Sequence, residues 1–125
     1  IIDASYSANP TGVMAHLDYL KNFSGKKIII MPCLIELGSA SKEIHQKIGK
    51  KIAEVCDLAI ITTADRFEQI KKEAKEKALL MEDPIKIFEK IKNFCTEKDT
   101  VLLEGRVPYK LIEQLTKKEF NNESS

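Results

Sequence analysis

Five short runs of branched apolar residues recur along this chain, and each gap between them holds about one helix's worth of residues. The runs lie at 1–3, 27–31, 58–62, 78–81 and 100–103. They are mostly continuous rather than alternating, which suits strands covered on both faces. Between and after them, apolar residues return every three or four positions, marking one buried stripe per helix. The stripes are Val13, Leu17 and Leu20 in 10–22, then Ile44, Ile48, Ile52 and Val55 in 41–56. They continue with Phe67, Ile70 and Ala74 in 66–77, and with Ile87, Phe88, Ile91 and Phe94 in 84–94. Leu111, Ile112 and Leu115 mark a last helix over 108–117. Strict alternation of strand and helix predicts a mostly parallel sheet of five strands with helices on both faces, a three-layer α/β/α domain.

The boundaries agree with this pattern. Pro10, Pro84 and Pro108 stand at or near first helical positions, where a missing N–H costs nothing. Asn9 and Asp83 are N-cap candidates. Asp65 and Glu68 have capping-box spacing. The stretch "SGKK", 24–27, reads as a turn into the second strand. In such folds ligands bind at the carboxyl ends of the strands. The loops that follow the strands, "ASYSAN", "PCLIELGSA", "TADR", "EDP" and "EGRV", are therefore where function is expected.

Composition narrows the classes. A length of 125 residues predicts one domain with a real core, and a net charge of +1 gives no basis for nucleic-acid or membrane attraction. The apolar runs are far too short to span a bilayer. Three widely spaced cysteines, Cys33, Cys56 and Cys95, fit neither a zinc knuckle nor a disulfide framework, so no metal site is expected and a reducing, cytoplasmic setting is. The start inside a strand-like run and the polar ending "KKEFNNESS" suggest the last domain of a longer protein, with a disordered tail over 119–125.

Single residues in the loops admit bland and functional readings. The helix N-terminus behind "ASYSAN" attracts anions, and Ser5, Tyr6, Ser7 and Asn9 add neutral hydrogen-bonding groups; a merely capped helix is the commoner outcome. Cys33 reads as a small hydrophobe, since no base is spaced to activate it. His45 could steady the Glu36 loop or simply pack. His16 flanks an apolar stripe and is expected in solvent. Glu36 suits an amine contact or a loop-internal role. Glu104 with Arg106 could face a substrate or form a plain surface pair.

Three stretches in order resemble one family. "DASYSANPTGVMAHLDYL" is similar to the D-D-S-Y-N-A-N-P motif and apolar helix that open the C-terminal domain of Mur ligases. "IIIMPCLIELGSASKEIHQKIGKKI" resembles that family's strand, L-G-D-M-x-E-L-G loop and helix, keeping Glu36, Leu37, Gly38, His45 and Gly49. "DTVLLEGRVPYKLIEQL" stands where the family has a strand and a K-G-S-R-like loop. The departures are Ala4 for the second Asp, Ser7 for Asn, Pro32-Cys33 for Gly-Asp, and Glu104 and Arg106 for Lys and Ser.

The resemblance implies a Rossmann-like C-terminal domain over 1–118, lacking an antiparallel edge strand that would precede Ile1. Mur ligases build the peptide stem of peptidoglycan, and the type most similar here joins UDP-N-acetylmuramoyl-tripeptide to D-alanyl-D-alanine. ATP and Mg2+ activate a carboxylate to an acyl phosphate, which an amine then attacks. The last domain closes over a central ATPase domain of the same chain. Asp3, Ser5, Tyr6, Ser7 and Asn9 would meet the nucleotide. Glu36, Glu104 and Arg106 would meet the amino acid or dipeptide, and no residue of this domain would be catalytic. In related ligases a carboxylate at the place of Ala4 holds the nucleotide ribose. The resemblance further implies that strand 100–103 lies between the first two strands, bringing "ASYSAN" and "EGRV" to one crevice.

Two alternatives are a degenerate, non-catalytic binding module of the same fold and a receiver-like domain. The chain has no Gly-rich G-x-x-G-K-[ST] loop to wrap phosphates. Incubated alone with ATP and magnesium, it is expected to bind nucleotide only weakly and to release phosphate no faster than buffer; turnover that copurifies with it would refute the one-domain reading.

Overall fold

The computed structural model describes residues 1–5 and 9–105. The strands are β1 (Ile2–Ala4), β2 (Lys27–Met31), β3 (Leu58–Ile61), β4 (Ala78–Leu80) and β5 (Thr100–Glu104). The helices are α1 (Pro10–Leu20), α2 (Ser41–Val55), α3 (Phe67–Ala74) and α4 (Pro84–Phe94). Short 3-10 turns, Gly38–Ala40 and Lys75–Lys77, precede α2 and follow α3. The expected last helix, 108–117, and the tail lie outside the described residues.

Every strand pairing is parallel, and the order across the sheet is β1-β5-β2-β3-β4. The last strand lies between the first two, as the resemblance implied. A receiver-like domain is excluded by this order, because that fold places its first strand inside the sheet, as 2-1-3-4-5.

Crossover handedness then sorts the helices. The steps β1 to β2, β2 to β3 and β3 to β4 run in one direction across the sheet, and β4 to β5 runs back. Since such crossovers are right-handed, α1, α2 and α3 cover one face and α4 the other. The core divides accordingly. Val13, Leu17, Ile48, Ile52 and Ile70 pack with Ala4, Ile29, Met31, Ala59, Ile61 and Leu102. Ile87 and Ile91 pack with Ile28, Ile30, Leu58, Ile60, Val101 and Leu103 on the opposite face. Among the described residues no helix is long and apolar enough to cross a membrane.

Polar side chains set the element ends. Asn9 is the N-cap of α1; its Oδ1 accepts the Gly12 N–H at 2.7 Å. Asp83 caps α4 through the Ile85 N–H at 2.9 Å. Asp65 does not cap α3, contrary to the capping-box spacing. Arg66 occupies that position without a side-chain cap, and its N–H goes to Cys33 Sγ at 3.3 Å. Asp99 ties the entries of β2 and β5 together, accepting from the Lys26 N–H and the Thr96 N–H, each at 2.8 Å. These donors, Thr96 first, hold its carboxyl below the usual range.

Gly49 is needed where α2 meets α3. A Cβ there would run into the Ile70 carbonyl oxygen and crowd its Cα, and this contact is backbone, which cannot rotate away. Gly49→Ala is therefore expected to destabilise the fold by about 2 kcal/mol or more, as overpacking does, read as a lower urea midpoint with an unchanged slope.

Candidate functional site

The carboxyl ends of β1 and β5 are neighbours: Asp3 pairs with Leu103 and Ala4 with Glu104, and the Gly105 N–H reaches the Ala4 carbonyl at 3.3 Å. This is the crevice expected from the strand order. Tyr6, Ser7 and Arg106 lie outside the described residues. The remaining candidates divide between the two faces of the sheet.

Asp3 is exposed. Its Oδ1 accepts the Ser5 N–H at 3.0 Å and the Ser5 hydroxyl, so the two residues form a small polar turn as β1 ends. Side chains alternate along a strand. Ala4 belongs to the α1–α3 side, so Asp3 emerges on the other.

Glu104 follows the same rule. Leu102 faces the α1–α3 side and Leu103 the α4 side, so Glu104 returns to the α1 side. There it is completely buried, and its Oε2 lies 2.7 Å from His16 Nδ1. Burial pushes its carboxyl up, opposed by the His16 contact. Neither a solvated His16 nor a surface Glu104–Arg106 pair describes this geometry. His16 sits one turn after Val13 and one before Leu20, close enough to the buried stripe to reach inward.

A second cluster pins the loop after β2. The Cys33 N–H donates to Thr63 Oγ1 at 2.8 Å, and Cys33 Sγ contacts the Thr63 carbonyl at 3.4 Å. The Leu34 N–H donates to His45 Nε2 at 2.9 Å, and His45 Nδ1 donates to the Ser41 carbonyl at 2.7 Å. Arg66 Nε donates to Ser41 Oγ at 3.0 Å. Cys33 is thus more than a small hydrophobe: it joins β2 to the start of α3. His45 does steady the Glu36 loop, from its Leu34 end. Beyond Leu34 the loop turns outward at Ile35 and Glu36, and Leu37 packs back against the α1–α3 core. Ile35 is 67% exposed, and Glu36 has φ +61°, a left-handed conformation that disfavours a side-chain-bearing residue. Thr63 and Arg66 had no sequence signal beyond their place in a carboxyl-end loop.

An all-parallel α/β/α sheet whose first and last described strands end side by side defines a Rossmann-like domain. A family model described as "Mur ligase, glutamate ligase domain" matches residues 1–107. The chain belongs to this family and is a C-terminal Mur ligase domain. Among solved structures, it is similar to the MurF ligase from Thermotoga maritima in complex with ADP, at 27% identity and a TM-score of 0.75 over 94% of this chain and 27% of that one. It is also similar in fold to MurF from Acinetobacter baumannii, with 20% identity and a TM-score of 0.66 over 92% of this chain and 26% of that one. The chain thus spans about a quarter of the length of these ligases.

The His45 hydrogen bonds demand a neutral ring, with the proton on Nδ1 and the Nε2 lone pair facing the Leu34 N–H. Burial, aided by the Arg66 charge and opposed by the Ser41 carbonyl, lowers its pKa from 6.5. The unfolded chain therefore binds more protons than the folded one below about pH 6.5. Stability is full above that pH and is lost as pH falls through it toward the folded value. The slope contributed by this group is at most about 1.4 kcal/mol per pH unit. In urea titrations across pH, His45→Leu should lose this component. It should also be less stable at pH 8 by about 1–3 kcal/mol, because the Leu34 N–H is left unsatisfied.

Proposed function

We propose that this domain serves an ATP-dependent Mur-type amide ligase of peptidoglycan precursor synthesis, in the cytoplasm. It closes over a central ATPase domain of the same chain and presents an amino acid or dipeptide amine to the acyl phosphate of a UDP-muramoyl peptide. The observation that carries this reading is the parallel β1–β5 pairing, which brings the "ASYSAN" and "EGRV" loops out of one edge of the sheet. The Thermotoga maritima MurF ligase, solved with ADP, supports the nucleotide assignment.

In this reading Asp3, Ser5 and Asn9, with Tyr6 and Ser7 between them in sequence, meet the nucleotide. Glu36 and Arg106 meet the amine substrate. The domain's contribution is to orient the amine and exclude water, which lowers the barrier without any proton transfer by its own side chains. The Mg2+ that accompanies ATP takes most of its ligands from phosphates and water, and among the described residues no three His, Cys, Asp or Glu side chains converge to hold a metal by themselves. Its ligands are assigned to the phosphates and the rest of the ligase.

The complete protein tests the assignment. Phosphate release from ATP should require both the muramoyl peptide and the amine, and a protein that turns over neither would refute the ligase reading. Asn9 separates folding from nucleotide use. Asn9→Ala should cost about 1 kcal/mol of stability through the lost cap. Asn9→Asp keeps the cap but adds a charge that repels phosphates, so the Michaelis constant for ATP should rise several-fold. An unchanged constant and turnover would mean that the loop only starts a helix.

A further inference from the structure

Glu104 ends β5 and is paired on one edge only. The β2–β5 register stops at Ile30 with Leu103, so Glu104 keeps a rung with Ala4 of β1 and none with β2. Gly105 follows with φ +70°, a turn that glycine makes without strain, and its N–H reaches the Ala4 carbonyl at 3.3 Å. This lightly held strand end nevertheless carries a completely buried carboxyl group. Its Oε2 lies 2.7 Å from His16 Nδ1, and its Oε1 has no hydrogen-bond partner among the described residues.

The surrounding elements bring no second charge to it. On β1, Asp3 emerges on the opposite face of the sheet, and on β2 Lys27 stands at the far end of the strand. On α1, Asp18 pairs with Lys21 and with Lys51 of α2. His45 of α2 is bound between the Leu34 N–H and the Ser41 carbonyl, and α4 covers the other face. Among the described residues His16 is the ionisable group that acts on Glu104. While the two side chains hold a proton between them, no uncompensated charge is buried. Once it is gone, a carboxylate faces an uncharged ring with one oxygen unsatisfied, which the interior tolerates poorly.

We propose that the His16–Glu104 pair is a proton-dependent latch between α1 and the end of β5. With the shared proton in place, Glu104 stays inside and the Ala4 rung is closed. With the proton lost, the Glu104 carboxylate turns out to water about Gly105, and the rung opens. The His16 side chain is 29% exposed, so it gives the buried group a route for exchanging its proton with solvent. The direction follows from burial, which raises the Glu104 carboxyl above its ordinary 4.5, with His16 opposing. The folded chain then binds more protons than the unfolded one. The contribution is complete below the ordinary value and is lost as pH rises through the folded one. His45 acts in the opposite sense, holding the loop after β2 only while its ring is uncharged. Acid therefore loosens the loop after β2, and base loosens the one after β5. The latch belongs to the fold and does not depend on the ligase reading.

The test uses this chain, labelled with nitrogen-15, and measures amide hydrogen exchange between about pH 5 and pH 9, corrected for the intrinsic exchange rate. The Gly105 N–H reports the rung beside the latch. Its opening constant should rise by up to about tenfold per pH unit once the shared proton is lost. The Thr62 and Met81 N–H groups, bonded to the Met31 and Ile61 carbonyls at 2.9 and 3.0 Å, should keep theirs. Glu104→Gln preserves the shape and the His16 contact but cannot ionise, so Gly105 should become indifferent to pH. A second variant, His16→Leu with Glu104→Leu, replaces the pair by apolar groups and should also fold and lose the dependence. The latch is overturned if Gly105 protection does not change with pH, or if the change survives in either variant. It is equally overturned if Thr62 and Met81 open together with Gly105, since the whole fold would then be yielding.

Discussion

The placement of β5 is the constraint on which the rest depends. It comes last among the described strands, yet it sits between β1 and β2, with all five of its residues buried. A strand flanked on both edges and covered on both faces has no polar side. Leu102 must fill one core while Val101 and Leu103 fill the other. A one-residue slip in register would exchange these sets and move Glu104 to the α4 side, away from His16. The Asp99 carboxylate guards against that slip at the strand's entry, because it accepts from the backbone of Lys26, just before β2, and of Thr96, in the turn before β5. The register thereby decides which side chains meet at the carboxyl edge.

At that edge, order and exposure are divided. Residues near the strand ends are tied to other elements: Cys33 to Thr63, Leu34 to His45, Glu104 to His16. The groups beyond them, Ile35 and Glu36, project from the fixed base. Holding a loop at its root while leaving its tip in solvent lowers the ordering cost of any contact made there. Cys33 belongs to the fixed part, whereas Cys56 lies at the opposite edge, just before β3. Cys56, whose burial pushes it up to about 12, is not a nucleophile at neutral pH.

Most of the architecture was legible because it rests on periodicity. The stripe Val13, Leu17 and Leu20 is buried as its spacing requires, as are Ile48, Ile52 and Val55. Asn9 and Asp83 cap because a proline follows each and leaves few other starts for the helix. The α3 start was misread because Asp65 and Glu68 have the right spacing, but the Arg66 N–H found a sulfur on another strand. Spacing within a segment carries no information about such a partner. The pairing of His16 with Glu104 was hidden for the same reason. Each looks like a surface residue in its own window, and only the crossing of α1 over the end of β5 makes them a pair. The residue-by-residue comparison with D-D-S-Y-N-A-N-P and K-G-S-R marked Ala4 and Glu104 as departures but could not show that they are adjacent.

The N-terminus of α1 limits what the domain can do with a nucleotide. A helix start offers up to four N–H groups to an anion. Pro10 has none, Gly12 is taken by Asn9 Oδ1, and Val13 is taken by the Asn9 carbonyl at 3.1 Å. Of the four N–H groups that a helix start leaves without an intrahelical partner, those of Asn9 and Thr11 at most are left, with Pro10 between them supplying none. Two donors separated by a proline make a weaker anion site than a full turn of free N–H groups. The buried Glu104 at the end of the neighbouring β5 adds a carboxyl group, not a cation, to that edge. Under the proposed ligase function, the grip on phosphate is therefore assigned to a Gly-rich loop outside this domain.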